Sequence, residues 1–347
     1  MIEQKEHFHG SDLEKIEKIY GIKKENIVSF AANVNPLGES GKLKTALSER
    51  IDAITKYPDR EYTSLRKAIG SYCKCDYNHI TVGNGCTELI SLFIQITAPK
   101  KTLLLGPTYS EYERDLRING SDISYYFLRE KDDFKINSDE FISAITTDTD
   151  LVIICNPNNP TGALYPKEVL EGIVEIARQH HLIIFSDEIY DRLVMDGGEH
   201  ISIASLAPDL FCVTFSGLSK SHMIAGFRIG WMILSGNKAI AQDYIEGIRM
   251  LSNMRLCSNV PAQSIVQTAL GGYQSVSNYL TPGGRIYEQR ECIYQALKDI
   301  PGLSVVKPKA AFYMFPKLDV KKFHITNDEQ FALDLLRDKK ILLIHAD

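Results

Sequence analysis

Two short apolar runs rich in β-branched residues constrain this chain most: DLVIIC from Asp150 to Cys155, and HLIIF from His181 to Phe185. Both are too short to prefer helix, and unbroken apolar runs of this kind mark strands covered on both faces. Between them, Pro166 to His180 sets Val169, Leu170, Ile173 and Ile176 at helical spacing behind a proline suited to a first turn. Strand, helix and strand in that order predict a βαβ unit. Further runs at Thr102–Leu105, Phe211–Phe215 and Gly230–Leu234 extend this to one mostly parallel sheet covered by helices, an α/β fold.

From about Arg285 the pattern changes to a long helix reaching Lys298, an alternating stretch around Leu303 to Phe315, a helix over Asp328–Asp338 and the run ILLIHA. This predicts a second, smaller α+β domain. The expected division is an N-terminal arm with part of the small domain in residues 1–50, a large domain in 51–280, and a C-terminal small domain, cut short, in 281–347. No internal repeat or low-complexity linker separates them, so close packing is expected.

With 44% hydrophobic and 24% charged residues in 347, the chain has the balance of a globular protein with a substantial core, which argues against disorder. A net charge of -5 supplies no basic field for nucleic acid or an anionic membrane. Small-molecule chemistry is the expectation that remains. The seven cysteines show no paired spacing for a disulfide framework, and Cys73 with Cys75 is too little for a zinc site, so no metal is expected. The first residues are polar and charged and no run reaches the length of a membrane span, so a cytoplasmic location is expected.

The chemistry centres on Lys220, which follows FSGLS at the end of an apolar strand. An amine in apolar surroundings has its pKa lowered, which suits attack on an aldehyde. Beside it stand Ser219, a hydroxyl donor, and Arg228, a fixed cation able to grip a phosphate through two parallel bonds. Upstream, NPNNPTG (Asn156–Gly162) and SDEIY (Ser186–Tyr190) each follow a buried run, where open α/β sheets place their ligands. Asp187 there needs a positive or hydrogen-bonding partner, because burial otherwise drives a carboxylate neutral. In VGNGCTELI, Gly83 and Gly85 precede a helix from about Cys86, and free N–H groups at a helix start favour an anion.

Together these motifs resemble the class I and II aminotransferase superfamily, pyridoxal 5′-phosphate (PLP) enzymes of fold type I. The likeness is carried by GLSKSHMIAGFRIG (Gly217–Gly230), although Met223 is bulkier than the small residue of the pattern. It implies that Lys220 carries PLP as a Schiff base and that Arg228 binds its phosphate with Gly85, Cys86 and Thr87. It further implies that Asp187 holds the ring nitrogen protonated, that Tyr190 and Asn159 bond the phenolic oxygen, and that Tyr109 of GPTYSEY stacks on the ring. Gly38 of NPLG would lie near the substrate carboxylate, with Asn159 also facing substrate. Tyr57 of YPD would reach the phosphate of a neighbouring subunit, which implies a homodimer with shared sites.

The expected reaction is transamination between an amino acid and a 2-keto acid. The first part of the chain, with HFHGSD, FAANVNPLG and YPDREYTSLRKAI, is similar to threonine-phosphate decarboxylases and histidinol-phosphate aminotransferases. From Phe215 onward, MRLCSNVPAQ, GGR and AFYMFPK are similar to bacterial alanine aminotransferases. A decarboxylase and a catalytically impaired PLP-binding relative are therefore the alternative expectations, and a DNA-binding regulatory module is disfavoured for want of room. Beyond ILLIHAD the family pattern continues to an arginine that clamps the substrate carboxylate, a contact worth about 1.5–3 kcal/mol. In its place Arg255 is the alternative expectation.

Overall fold

The apolar runs become strands because each hides side chains on two faces at once. In the computed structural model, which describes residues 13–35 and 37–345, eleven strands are present among the described residues. These are β1 (Val28–Ser29), β2 (Ile80–Asn84), β3 (Lys101–Gly106), β4 (Asp122–Phe127), β5 (Leu151–Cys155), β6 (Ile183–Asp187), β7 (Cys212–Gly217), β8 (Ile229–Ser235), β9 (Leu303–Val305), β10 (Pro316–Leu318) and β11 (Ile341–Leu342). Seven of them form the main sheet, ordered β2-β8-β7-β6-β5-β3-β4. Only β8 runs against its neighbours.

Alternation along the strands divides the core in two. Leu103, Leu105, Val152, Ile154 and Ile184 pack with Leu170, Ile173, Val174 and Ala177 of the helix Lys167–His180. Leu104, Leu151, Ile153, Phe185 and Phe215 pack on the opposite face with Leu89, Ile90, Phe93 and Ile94 of the helix Cys86–Thr97. Each fully buried side chain of this kind contributes roughly 1.5–3 kcal/mol. Both faces are thus dry, as the unbroken apolar runs require.

The chain forms two compact units. The larger comprises Asn35–Leu297 and Val305–Phe315, and holds the main sheet. The smaller takes residues up to Val34, Lys298–Ser304 and Pro316 onward. It pairs β1 in parallel with β11, and packs Ile16 and Ile22 with Leu336 of the helix Asp328–Lys339 and Leu342. The stretch expected to alternate from Leu303 to Phe315 is strand only through Val305. Beyond it the backbone bonds to turns of the larger unit: Lys309 and Ala310 donate to the Gly162 carbonyl at 3.0 and 3.1 Å, and Ala310 bridges Val194. The HFHGSD opening, Pro36 of NPLG and the last two residues lie outside the described residues. Among those described, no helix is long and apolar enough to cross a membrane.

Candidate active site

The topology gathers the motifs along one edge of the main sheet. The parallel strands β3, β5, β6 and β7 bring their C-terminal ends there; Asp187 is the last residue of β6, while Tyr109, Asn156–Gly162 and Lys220 follow β3, β5 and β7. β8 runs the other way, so it brings its first residue, and Arg228 immediately before it, to the same edge. β2 is antiparallel to β8 in turn, which places the Gly85–Thr87 turn at this edge as well. One reversed strand therefore puts an arginine beside a helix N-terminus.

That juxtaposition is tight. Gly85 has φ +87°, and a Cβ there would stand 2.8 Å from the Arg228 guanidinium carbon and closer still to Nη2. Gly230 also carries no Cβ because one would strike the Gly85–Cys86 backbone. Arg228 is held by its own Nη1, which donates to the Ala225 carbonyl at 3.0 Å. Gly85 precedes the helix Cys86–Thr97 without supplying a side-chain cap, so the first-turn N–H groups are left to an outside acceptor. The Cys86 thiol donates instead to the Ser216 carbonyl at 2.9 Å, and burial raises its pKa, leaving it an inert packed group.

Asp187 is buried, and its carboxylate accepts from the Tyr112 hydroxyl and from the Ile189 N–H at 3.1 Å. Burial pushes its pKa up, and those two donors together with Lys220 oppose the rise. Lys220 is affected in the complementary sense: burial lowers its pKa, Arg228 adds to the effect, and Asp187 counteracts it. An amine depressed by burial and by a second cation is available as a nucleophile and a base. Ser219 lies half-buried one position before it.

The Asn156–Gly162 loop is built by two of its three asparagines. Asn156 Oδ1 accepts from Tyr165 N–H at 3.0 Å, and Asn158 Oδ1 accepts from the Thr161 N–H and hydroxyl at 3.1 and 2.6 Å. The Asn156 N–H donates to the Asp187 carbonyl at 3.0 Å, tying this loop to the end of β6. The Asn159 side chain takes no part in that lattice and is half-buried. Tyr109 sits edge-on to Tyr112 at 5.4 Å between centroids; burial raises its phenol, opposed by the Thr87 hydroxyl. Tyr190 is buried, and burial raises its phenol well above the ordinary value.

Lys220, Asp187, Tyr190, Asn159, Tyr109, Ser219, Arg228 and the Gly85–Thr87 turn thus share one sheet edge. Asp187 and Tyr190 are buried and Arg228 is exposed; Gly38 and Tyr57 are exposed as well, Gly38 on a loop at φ +74° with Asn35 Nδ2 donating to its carbonyl at 2.8 Å, and Tyr57 80% exposed. Arg255 is occupied elsewhere, donating to the Val82 carbonyl at 2.8 Å and the Ser252 carbonyl at 3.1 Å, with Glu88 3.4 Å away. Two site residues escape the sequence reading. Tyr112, the second tyrosine of GPTYSEY, has a signal in its position one helical turn past Tyr109. Tyr313, whose hydroxyl bonds that of Tyr190 from 123 positions away, has as its signal only its place in AFYMFPK.

The sequence matches the family Aminotransferase class I and II over residues 25–347. The chain belongs to that family. It is similar to the glutamate-pyruvate aminotransferase AlaA of Escherichia coli, 51% identical over 269 residues that cover 77% of this chain and 66% of that protein. It is also similar to the alanine aminotransferase of Mycobacterium tuberculosis, 41% identical over 299 residues covering 86% of this chain and 68% of the relative. The chain therefore spans just under two thirds of the length of the Escherichia coli relative. Among solved structures, an aminotransferase from Escherichia coli matches with a TM-score of 0.89 at 42% identity, covering 96% of this chain and 84% of that one. An alanine aminotransferase from Pyrococcus furiosus matches with a TM-score of 0.85 at 32% identity, covering 96% and 86%.

Class I and II aminotransferases are PLP enzymes of fold type I, and the larger unit has that α/β architecture. The residues present fit the cofactor on two independent grounds. The uncapped helix start beside Arg228 suits a phosphate, and the buried Asp187 carboxylate is short of a cation to offset its desolvation.

Proposed function

We propose that this chain is a PLP-dependent aminotransferase that moves an amino group between an amino acid and a 2-keto acid. Alanine with 2-oxoglutarate, and glutamate with pyruvate, are the first pairs to test, given the names of its relatives. The observation that carries the proposal is Lys220, an amine depressed by burial, placed electrostatically between Arg228 and Asp187 at the sheet edge.

In this reading Arg228 and the N–H groups of Gly85, Cys86 and Thr87 hold the phosphate, with the Tyr57 hydroxyl added by a partner subunit. Asp187, with Tyr112 fixing its carboxylate, holds the proton on the ring nitrogen. Tyr190 and Asn159 donate to the phenolic oxygen, and Tyr109 covers the ring. When bound, the cofactor supplies an aldehyde for amines and a protonated ring that takes up the electron pair left on breaking a Cα–H bond. Lys220 would move the proton from the substrate α-carbon, a task that needs an amine able to exist uncharged. Ser219 supports the same segment, and the Gly38 backbone with Asn159 faces the substrate.

A homodimer with shared sites follows, supported by the exposure of Tyr57 at 80% next to Ile54 at 57% and Ile51 at 48%. Sedimentation as a monomer would contradict that part alone. The reaction itself is tested by offering the PLP-loaded protein a panel of amino donors with pyruvate or 2-oxoglutarate. The expected products are a keto acid and a new amino acid in equal amounts. Release of carbon dioxide without a keto acid would make it a decarboxylase, and no product from any donor would make it an inert relative.

A further inference from the structure

The strap Pro308–Tyr313 lies across both loops that flank the end of β6. Its Lys309 and Ala310 N–H groups donate to the Gly162 carbonyl; the Lys309 carbonyl accepts from Met195 at 2.9 Å, and Ala311 N–H donates to the Leu193 carbonyl at 2.8 Å. Gly162, at φ +66°, admits the strap because a Cβ there would stand 2.5 Å from the Pro308 side chain. So held, the strap delivers Tyr313 to Tyr190: the hydroxyls are hydrogen-bonded and the rings meet edge to face at 5.5 Å between centroids. A hydroxyl has one proton and can give it in one direction only.

We propose that Tyr313 is a positioning residue that donates its hydroxyl proton to the Tyr190 oxygen, so that Tyr190 directs its own O–H toward the cofactor's phenolic oxygen. This rests on the reading of Tyr190 proposed above. The direction of the bond decides its effect: were Tyr190 the donor to Tyr313, the contact would raise the Tyr190 phenol further. A hydrogen bond received from Tyr313 instead favours its negatively charged form and makes it a stronger donor, and a stronger donor favours the anionic form of the oxygen it faces. Tyr313 thereby sets the pH at which the bound cofactor titrates, without touching the cofactor.

The test is the pH midpoint of the bound-cofactor absorbance in the PLP-loaded protein without substrate, for the parent, Tyr313→Phe, Tyr190→Phe and the double variant. Phenylalanine keeps the ring contact and removes only the hydroxyl. The midpoint is expected to rise in Tyr313→Phe, to rise further in Tyr190→Phe, and to gain nothing more in the double variant, since the two act as one unit. Tyr313→3-fluorotyrosine, a more acidic donor of nearly the same shape, is expected to move the midpoint down. An unmoved midpoint in both position-313 variants, or shifts in the two phenylalanine variants that add, would overturn the proposal. A parent protein without a lysine-bound cofactor absorbance would instead overturn the reading of the site, because no variant would then show a titration at all.

Discussion

At the level of single residues, most of the candidate site was legible because its chemistry is carried by short strings. Lys220 and Arg228 stand eight positions apart, and Asp187 and Asn159 lie in runs of unusual composition directly after apolar strands. The role of Tyr313 was not legible, since it depends on a hydroxyl contact between residues 123 positions apart. Gly85 shows what the sequence hints at and only the three-dimensional arrangement explains. A glycine before a helix reads as a turn, whereas here it makes room for a guanidinium. Gly85→Ala should therefore both strain the backbone, by about 1–3 kcal/mol, and push Arg228 off its position. The expected outcome is PLP affinity at least about tenfold weaker by equilibrium dialysis, equivalent to roughly 1.4 kcal/mol. Unchanged affinity would show that Arg228 does not reach the phosphate from this position.

At the level of elements, the βαβ unit was legible from periodicity, and each apolar run read as a strand of the main sheet is present within a few residues of its expected bounds, whereas the alternating stretch from Leu303 is strand only through Val305. β2 and β4 carry polar and glycine positions that hide them, and the reversal of β8 is invisible to any periodicity argument. Past β6 the chain buries a second carboxylate, Glu188, against Ser186, Ser202 and the Ile203 N–H, with His200 Nε2 at 3.6 Å and donating toward the Asn156 carbonyl. Burial raises Glu188 from 4.5 to about 8 and lowers His200 from 6.5 to about 4. A carboxyl that holds its proton more tightly when folded loses stability as pH rises from about 4.5 to about 8. A histidine that resists its proton when folded loses stability as pH falls from 6.5 to about 4. Urea unfolding across this range should accordingly show a flatter alkaline limb for Glu188→Gln and a flatter acid limb for His200→Gln. Parallel curves for parent and variants would refute the burial account of both groups.

At the level of the whole molecule, the α/β class was expected from sequence, whereas the small domain expected from residue 281 differs from the observed units: the helix from Arg285 belongs to the larger unit through Leu297, and the smaller unit takes Lys298–Ser304 and Pro316 onward. What sequence could not show is that residues 305–315 return to the larger unit, since that return is made by contacts far apart in the chain, the strap's backbone hydrogen bonds and the burial of Ala310 and Ala311, which no local pattern announces. Relatives at 51% and 41% identity place the chain in its family, and the proposed reaction depends on one covalent attachment. The most direct measurement is to incubate the protein with PLP, reduce it with borohydride, digest it and locate the added mass. One pyridoxyl group per chain is expected, on Lys220, and none on Lys220→Ala. A label on another lysine, or a parent chain that takes up none, would contradict that expectation.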